Sequence, residues 1–496
     1  MYTMEYFSTR GAAERVSSAA AILKGLASDG GLFVPASFPP MSLAAIEALV
    51  PLSYEERAVR ILRPFLTDYT EAELKGCVAR AYGHTFDDVR RAPVRAVGEL
   101  AVLELWHGPT SAFKDMALQL LPQLMSTARG KEGERDTILI LVATSGDTGK
   151  AALEGFADAG GIRIMVFYPD GGVSPVQRLQ MVTQEGANVS VVAVRGNFDD
   201  AQRGVKEIFG DAAMAKELAA LHTKLSSANS INWGRLVPQI VYYFSAYADL
   251  LAERSIAAGD AVNFTVPTGN FGNILAGYYA KRMGLPVGKL VCASNANNVL
   301  TDFLQTGIYD RKRDFYQTMS PSMDILVSSN LERLLCHLTE DTAQVAAWMQ
   351  ELAEVGKYDA SRLLPVLREN FWAACADDAE TEEEIRAVYE RTGYTLDTHT
   401  AVAYRAAEDY RRETGDVRPM VVLSTASPYK FGASVLRALG EDMAGVDEFT
   451  QMIFLKEKSG MKIPPRLEAL EKAPVRHKGI CEKGGMRAAV LAFART

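Results

Sequence analysis

The chain has 496 residues, 48% hydrophobic and 23% charged, the make-up of a soluble globular protein with large cores and, at roughly 150 residues per domain, about three domains. Its 53 basic and 61 acidic residues leave a net charge of −8, which gives a nucleic acid no basic surface and excludes that class of partner. Five scattered cysteines, with no Cys-x-x-Cys pair, point to free thiols in a reducing, cytoplasmic setting rather than to a disulfide framework or a zinc site.

In chain order, the first 30 residues carry Glu5, Glu14 and Asp29 and no uninterrupted apolar core, unlike a secretory signal. Residues 1–95 read as mainly helical. Helical spacing covers 14–26, 43–49 with Ser42 as N-cap, 54–65 and 71–81, with a turn and short strand over 29–35. No chemistry is demanded there, and the segment reads as a separate cap. From about residue 96, apolar β-type runs at 137–143, 163–168, 188–194, 263–267, 290–293 and 420–423 alternate with helical stretches. This alternation predicts an α/β fold with two open, mostly parallel sheets covered on both faces, and a ligand at the carboxyl ends of the strands. The uncharged run 261–280 has transmembrane length, yet Pro267, its glycines and its asparagines would leave polar groups unsatisfied in lipid. It reads as buried strand, loop and helix, and no membrane partner is expected. Residues 310–415 hold long helical patterns at 330–337 and 342–354, and an acidic cluster at 377–384 that reads as a solvated loop and helix start.

Five polar loops fall at strand ends. In Trp106-His107-Gly108-Pro109-Thr110-Ser111-Ala112-Phe113-Lys114-Asp115, a Gly-Pro turn separates an apolar run from a helical pattern over 116–125. Lys114 is thereby held in a strand–turn–helix unit, where partial burial would lower its pKa and suit it to covalent chemistry. Thr268-Gly269-Asn270-Phe271-Gly272-Asn273 lies between a strand and a helix. Spacing alone leaves a phosphate cradle and a tight structural turn about even, and the loop matches neither the P-loop nor Gly-x-Gly-x-x-Gly. Thr144-Ser145-Gly146-Asp147-Thr148-Gly149 is a second anion site or a simple N-cap. Asn229-Ser230-Ile231-Asn232-Trp233-Gly234-Arg235 gathers amide, hydroxyl and guanidinium groups suited to phosphate. Ser424-Thr425-Ala426-Ser427-Pro428-Tyr429-Lys430 follows the last apolar run. The six histidines show no metal spacing and no Gly-x-Ser-x-Gly elbow occurs, which argues against a zinc or serine hydrolase and for no metal.

Taken in order with Tyr6-Phe7-Ser8-Thr9-Arg10-Gly11, Asp29-Gly30-Gly31-Leu32-Phe33-Val34-Pro35 and Ser320-Pro321-Ser322-Met323-Asp324-Ile325, these loops resemble the threonine synthase family. That family has the pyridoxal-phosphate fold type II, similar to the tryptophan synthase β subunit, and the likeness is to its longer bacterial and fungal form. The resemblance implies an N-terminal domain at 1–95, a large cofactor-binding α/β domain at 96–135 and 262–496, and a small α/β domain at 136–261. It implies that Lys114 carries pyridoxal 5'-phosphate and acts as the catalytic lysine. Gly269, Asn270, Phe271, Gly272 and Asn273 would hold the cofactor phosphate, Asp147 would lie near the ring hydroxyl, and Thr425 would meet the ring nitrogen. Ser145 and Thr148 would hold the substrate, and Asn229, Ser230 and Arg235 its phosphate, with Thr110 and Ser111 as adjacent candidates.

The implied enzyme is a carbon–oxygen lyase that converts O-phospho-L-homoserine and water to L-threonine and phosphate, the last step of threonine biosynthesis. The alternative is a phospho-lyase or dehydratase of the same fold that releases a 2-oxo acid, ammonia and phosphate; a non-catalytic binding protein is the third reading. Resemblance to the longer form leans to a monomer over a homodimer. Two departures stand out: Ser427 replaces a His of many relatives, and Asn297-Asn298 an Asn-Asp pair.

Overall fold

The computed structural model describes residues 3–144 and 146–496. Its larger sheet has six strands in the order Phe371–Cys375, Val287–Ser294, Val262–Pro267, Met420–Ser424, Leu100–Glu104 and Val94–Val97. All pair in parallel except the last, Val94–Val97, which runs antiparallel to Leu100–Glu104. Three of these strands, Val287–Ser294, Val262–Pro267 and Met420–Ser424, match the apolar runs expected at 290–293, 263–267 and 420–423, and they are apolar because both faces are covered. Along Met420–Ser424 the side chains alternate: Val421 and Leu423 join the core shared with the N-terminal segment, while Met420 and Val422 face the helix Thr398–Thr414. Pairing of Pro267 with Ala293 and of Ser424 with Glu104 brings the carboxyl ends of the central strands to one edge.

The smaller sheet has five parallel strands in the order Gly479–Glu482, Val189–Arg195, Ile162–Pro169, Thr137–Ala143 and Thr223–Ser226. Two segments sit elsewhere than the expected division placed them. Residues 262–496 were assigned to the large unit, yet Gly479–Glu482 extends the edge of the smaller sheet in register with Val192–Arg195. The helix Trp233–Ala252, assigned to the small unit, packs on Tyr54–Leu62, Asp115–Leu118 and Gly272–Met283. Its residues 233–250 are all buried, Arg235, Gln239 and Asp249 included, so it behaves as a core helix.

The N-terminal segment is mainly helical, but it opens with a small antiparallel sheet of Arg15–Val16, Tyr6–Ser8 and Phe33–Pro35. Arg15 and Val16 pair with Phe7 and Tyr6, so the first helix starts later than the spacing suggested, at Ser18 with Ser17 as N-cap. The acidic cluster at 377–384 is a helix start: Asp377 and Glu380 form a capping box for Asp378–Thr392. Among the described residues, no helix is long and apolar enough to cross a membrane.

Candidate active site

Lys114 is positioned by two loops that leave neighbouring strands of the larger sheet. The chain after Leu100–Glu104 is zipped to the chain after Met420–Ser424: Leu105 N–H donates to Ser424 C=O (2.9 Å), Phe113 N–H to Thr425 C=O (2.8 Å) and Ser427 N–H to Ser111 C=O (3.1 Å). Ser111 adopts a left-handed backbone (φ +60°), one of two such non-glycine residues at the site. The Asp115 carboxylate accepts from Thr110 N–H and Thr110 Oγ1, both at 2.7 Å, and so closes the turn from beneath. Burial pushes Asp115 up to about 7 against those hydrogen bonds. The helix foreseen over 116–125 is split: Asp115–Leu118 ends and Leu121–Lys131 follows.

This support directs Lys114 Nζ into the interior, where it donates to Ser322 Oγ (3.3 Å) and lies 3.9 Å from Asp147 Oδ2. Burial lowers its pKa; Asp147 opposes that shift, and Arg235 and Lys430 reinforce it. Asp147 opens the helix Asp147–Phe156, preceded by Gly146 at φ +149°. A Cβ on Gly146 would sit 2.4 Å from the Gln177 amide, which itself donates to Asp147 Oδ1 (3.0 Å). Thr144 Oγ1 accepts from the N–H groups of Gly146 and Gly149 and so shapes the turn. Thr148 is half-buried one residue beyond Asp147, and Ser145 lies outside the described residues.

Residues 269–273 form the loop between Val262–Pro267 and Gly272–Met283. Phe271 is the second left-handed residue (φ +61°), and the first bond of the helix runs from Leu275 N–H to Phe271 C=O. The N–H groups ahead of it have no helical acceptor and lie at the positive end of the helix dipole. The loop carbonyls are turned away and satisfied: Gly269 C=O accepts from Ser328 Oγ (2.7 Å), and Asn270 C=O from Asn330 N–H (3.1 Å) and Nδ2 (3.0 Å). Tyr242 and Tyr243 both donate to Asn273, which leaves its Nδ2 buried with no acceptor among the described residues. Such a loop can accept an anion.

Arg235 is buried in the first turn of Trp233–Ala252. Among the described residues its guanidinium makes one hydrogen bond, from Nη1 to Ala228 C=O (3.1 Å), Nε has no partner, and burial pulls its pKa down to about 10. A buried guanidinium with no carboxylate beside it calls for an anionic ligand. Asn330 ties this region to the cradle by donating from Nδ2 to the carbonyls of Ser230 (3.1 Å) and Asn270. Ser230 Oγ and Asn270 Oδ1 meet the same partner, Ser329 Oγ, at 3.3 Å each. Contacts thus join Lys114 with Asp147 and, through Phe113, with the backbone of Thr425, and separately join residues 269–273 with the 229–235 turn, whose Arg235 is near enough for its charge to act on Lys114.

Three groups escaped the sequence reading. Ser322 has no role in the motif 320–325, and its backbone N–H is held by His399 Nε2 (3.1 Å), whose Nδ1 faces Asp397 (3.0 Å). Ser328, Ser329 and Asn330 carry no spacing signal. Lys430 ended a quoted loop as an ordinary polar residue.

Pyridoxal phosphate fits this donor set. The loop N–H groups of 269–273 ahead of the helix, the Asn273 amide with no partner among the described residues and a largely buried lysine whose nearest carboxylate is 3.9 Å away suit its phosphate and aldehyde. A methyl group in the cradle is excluded, since a Cβ on Gly269 would lie 2.7 Å from Ser322 C=O. Gly269→Ala is expected to loosen cofactor retention about tenfold or more by displacing the cradle from that strand of chain. Visible absorbance during dialysis against cofactor-free buffer measures it.

The profile described as "Threonine synthase N terminus" matches residues 5–82, "Pyridoxal-phosphate dependent enzyme" residues 90–426, and "Threonine synthase, C-terminal" residues 400–483. A threonine synthase of Pseudomonas aeruginosa is 44% identical over 445 residues, which cover 88% of this chain and 90% of that one. The human protein "Threonine synthase-like 1" is 42% identical over 464 residues, 91% of this chain; the match spans 61% of that longer relative. A crystal structure of PLP-bound threonine synthase from Brucella melitensis superposes with a TM-score of 0.88 at 39% identity, covering 100% of both chains. With these matches running along almost its whole length, the chain belongs to the threonine synthase family of pyridoxal-phosphate dependent enzymes.

Proposed function

We propose that the protein converts O-phospho-L-homoserine and water to L-threonine and phosphate. The observation that carries this reading is Arg235, a buried cation with an unused Nε and no acidic partner among the described residues, close enough for its charge to act on the largely buried Lys114. A substrate bearing a phosphate supplies the missing anion, which a dehydratase substrate without one would not.

In this reading Lys114 holds pyridoxal phosphate, residues 269–273 take its phosphate, Asp147 lies by its ring hydroxyl and Thr425 by its ring nitrogen. When bound, the cofactor supplies an electron sink for a carbanion at the substrate Cα. The rest belongs to the chain. Arg235, Asn229 and Ser230 hold the substrate phosphate and orient it for departure, while Ser145 and Thr148 hold the opposite end. Lys114 Nζ, kept from its ordinary protonation by burial, removes the proton at Cα, serves Cβ next, and returns a proton once water has added. Ser322 Oγ, 3.3 Å from Nζ, keeps the amine in place through these transfers. The free cysteines support a cytoplasmic setting, and the family's longer form supports a monomer, which sedimentation measures.

Purified protein given O-phospho-L-homoserine and cofactor is expected to release threonine and phosphate in equal amounts. Ammonia and a 2-oxo acid as the main products would overturn the reading in favour of simple elimination.

A further inference from the structure

A lysine that is to act as a base inside a protein faces a difficulty when a carboxylate is its neighbour. Losing the proton would leave an unpaired buried anion, so the pair holds the lysine charged. Lys114 has such a neighbour in Asp147, at 3.9 Å. The arrangement around Asp147 removes the difficulty.

Lys430 lies in the short 3-10 turn Pro428–Phe431, and its side chain has no exposure to solvent. Its ammonium has three acceptors: Asp147 Oδ1 at 2.9 Å, Gln180 Oε1, and Thr110 C=O at 3.3 Å. Asp147 Oδ1 also accepts from Gln177 Nε2 (3.0 Å), so the carboxylate is fully engaged on the side away from Lys114. The turn itself is anchored, with Lys430 N–H donating to Ser427 C=O (3.0 Å). Asp147 therefore stands between two lysines, bonded to one and merely within reach of the other.

We infer that Lys430 is a positioning residue for the proton chemistry: it is the fixed counter-ion of Asp147, and thereby releases Lys114 to become a neutral base. This deepens the proposed function and rests on Lys114 being the base of that reaction.

The charged groups that face Lys114 fit this role. Asp147 comes from the helix Asp147–Phe156, Arg235 from Trp233–Ala252, Lys430 from the 3-10 turn, and Asp115 from its own helix. Ser322 Oγ, from the turn Pro321–Met323, is neutral. Burial lowers Lys114, the two nearby cations lower it further, and Asp147 and Asp115 oppose them. Burial also works against ionised Asp147, but Lys430 and then Lys114 outweigh it and hold the carboxyl well below its usual range. With Lys430 neutral, Asp147 would have Lys114 as its only cationic partner, and the proton would stay there.

The test reads the proton on Lys114 without turnover. The full-length chain, stripped of cofactor, is labelled with a small amine-acylating reagent across neutral and alkaline pH, and the Lys114 peptide is quantified by mass spectrometry. Lys430→Met is expected to raise the pH midpoint of Lys114 labelling by about one unit or more, because a like charge is lost and a carboxylate is freed. Near neutral pH that is about a tenfold fall in labelling rate. Lys430→Met with Asp147→Asn is expected to bring the midpoint back to the wild-type value or below. Lys430→Gln, which keeps hydrogen bonds to Asp147 and Thr110 without the charge, repeats the test if the methionine variant does not fold. A midpoint that stays in place or falls in the single variants overturns the role of Lys430, whatever the enzyme's activity. Absence of threonine formation with the shift intact overturns only the catalytic reading.

Discussion

Lys114→Ala is expected to lower threonine formation by at least about a thousandfold, since it removes both the attachment of the cofactor and the shuttle for its proton transfers. The side chain is only 11% exposed and, among the described residues, forms no ion pair shorter than 3.9 Å and makes one hydrogen bond, to Ser322, so little of the fold rests on it. The variant should therefore melt within a few degrees of the parent while turnover is lost. Lys114→Arg should be as inactive, because a guanidinium keeps its charge at any working pH and cannot serve as base or nucleophile. Borohydride reduction of the cofactor-loaded wild type, followed by peptide mapping, gives the decisive reading: the cofactor is expected on the peptide holding Lys114. Recovery on a different lysine, Lys430 included, would remove Lys114 from the mechanism.

The second large effect is expected at Arg235. Arg235→Met should lower kcat/KM for O-phospho-L-homoserine by roughly 30- to 1000-fold, the equivalent of about 2–4 kcal/mol for a desolvated charge-assisted contact to phosphate. Its effect on stability is expected to have the opposite sign. The guanidinium is buried on a single hydrogen bond with no counter-charge, so an apolar side chain of similar length should raise the melting temperature of the ligand-free chain. Inorganic phosphate supplies the second arm of the measurement: it should stabilise the wild type against heat and leave the variant nearly unmoved. A variant that loses stability and still turns over normally would mark Arg235 as a structural residue instead.

The legible parts of the fold were those with strong local patterns. The apolar runs at 137–143, 263–267 and 420–423 appear as strands at almost those bounds, because a strand covered on both faces must be apolar throughout. Ser42, Ser53 and Thr70 each stand at the N-cap of a helix that periodicity also marked. What escaped was set by partners distant in sequence. Phe371–Cys375 reads as a piece of a helical region and becomes an edge strand because Val287–Ser294 offers it a ladder. Arg15 and Val16 read as a helix start until Tyr6 and Phe7 claim them. The site divides in the same way. The loops of Lys114 and of residues 269–273 are marked as turns by glycine, proline and position between strand and helix, while their roles come only from the family resemblance. Lys430, Gln177 and Asn330 are single polar residues whose significance lies only in what they meet across the fold.

The edge strand Gly479–Glu482 has a consequence for how the molecule is made. Arg195 meets Glu482 across that edge, 287 residues further along the chain. During synthesis the strand Val189–Arg195 leaves the ribosome long before its neighbour exists, and its backbone donors and acceptors stand open for that interval. The nascent smaller sheet is thus a growing point without a stop. Chains cut short before residue 479 should be captured by chaperones or pair edge to edge, because Gly479–Glu482 is the clasp that closes that edge.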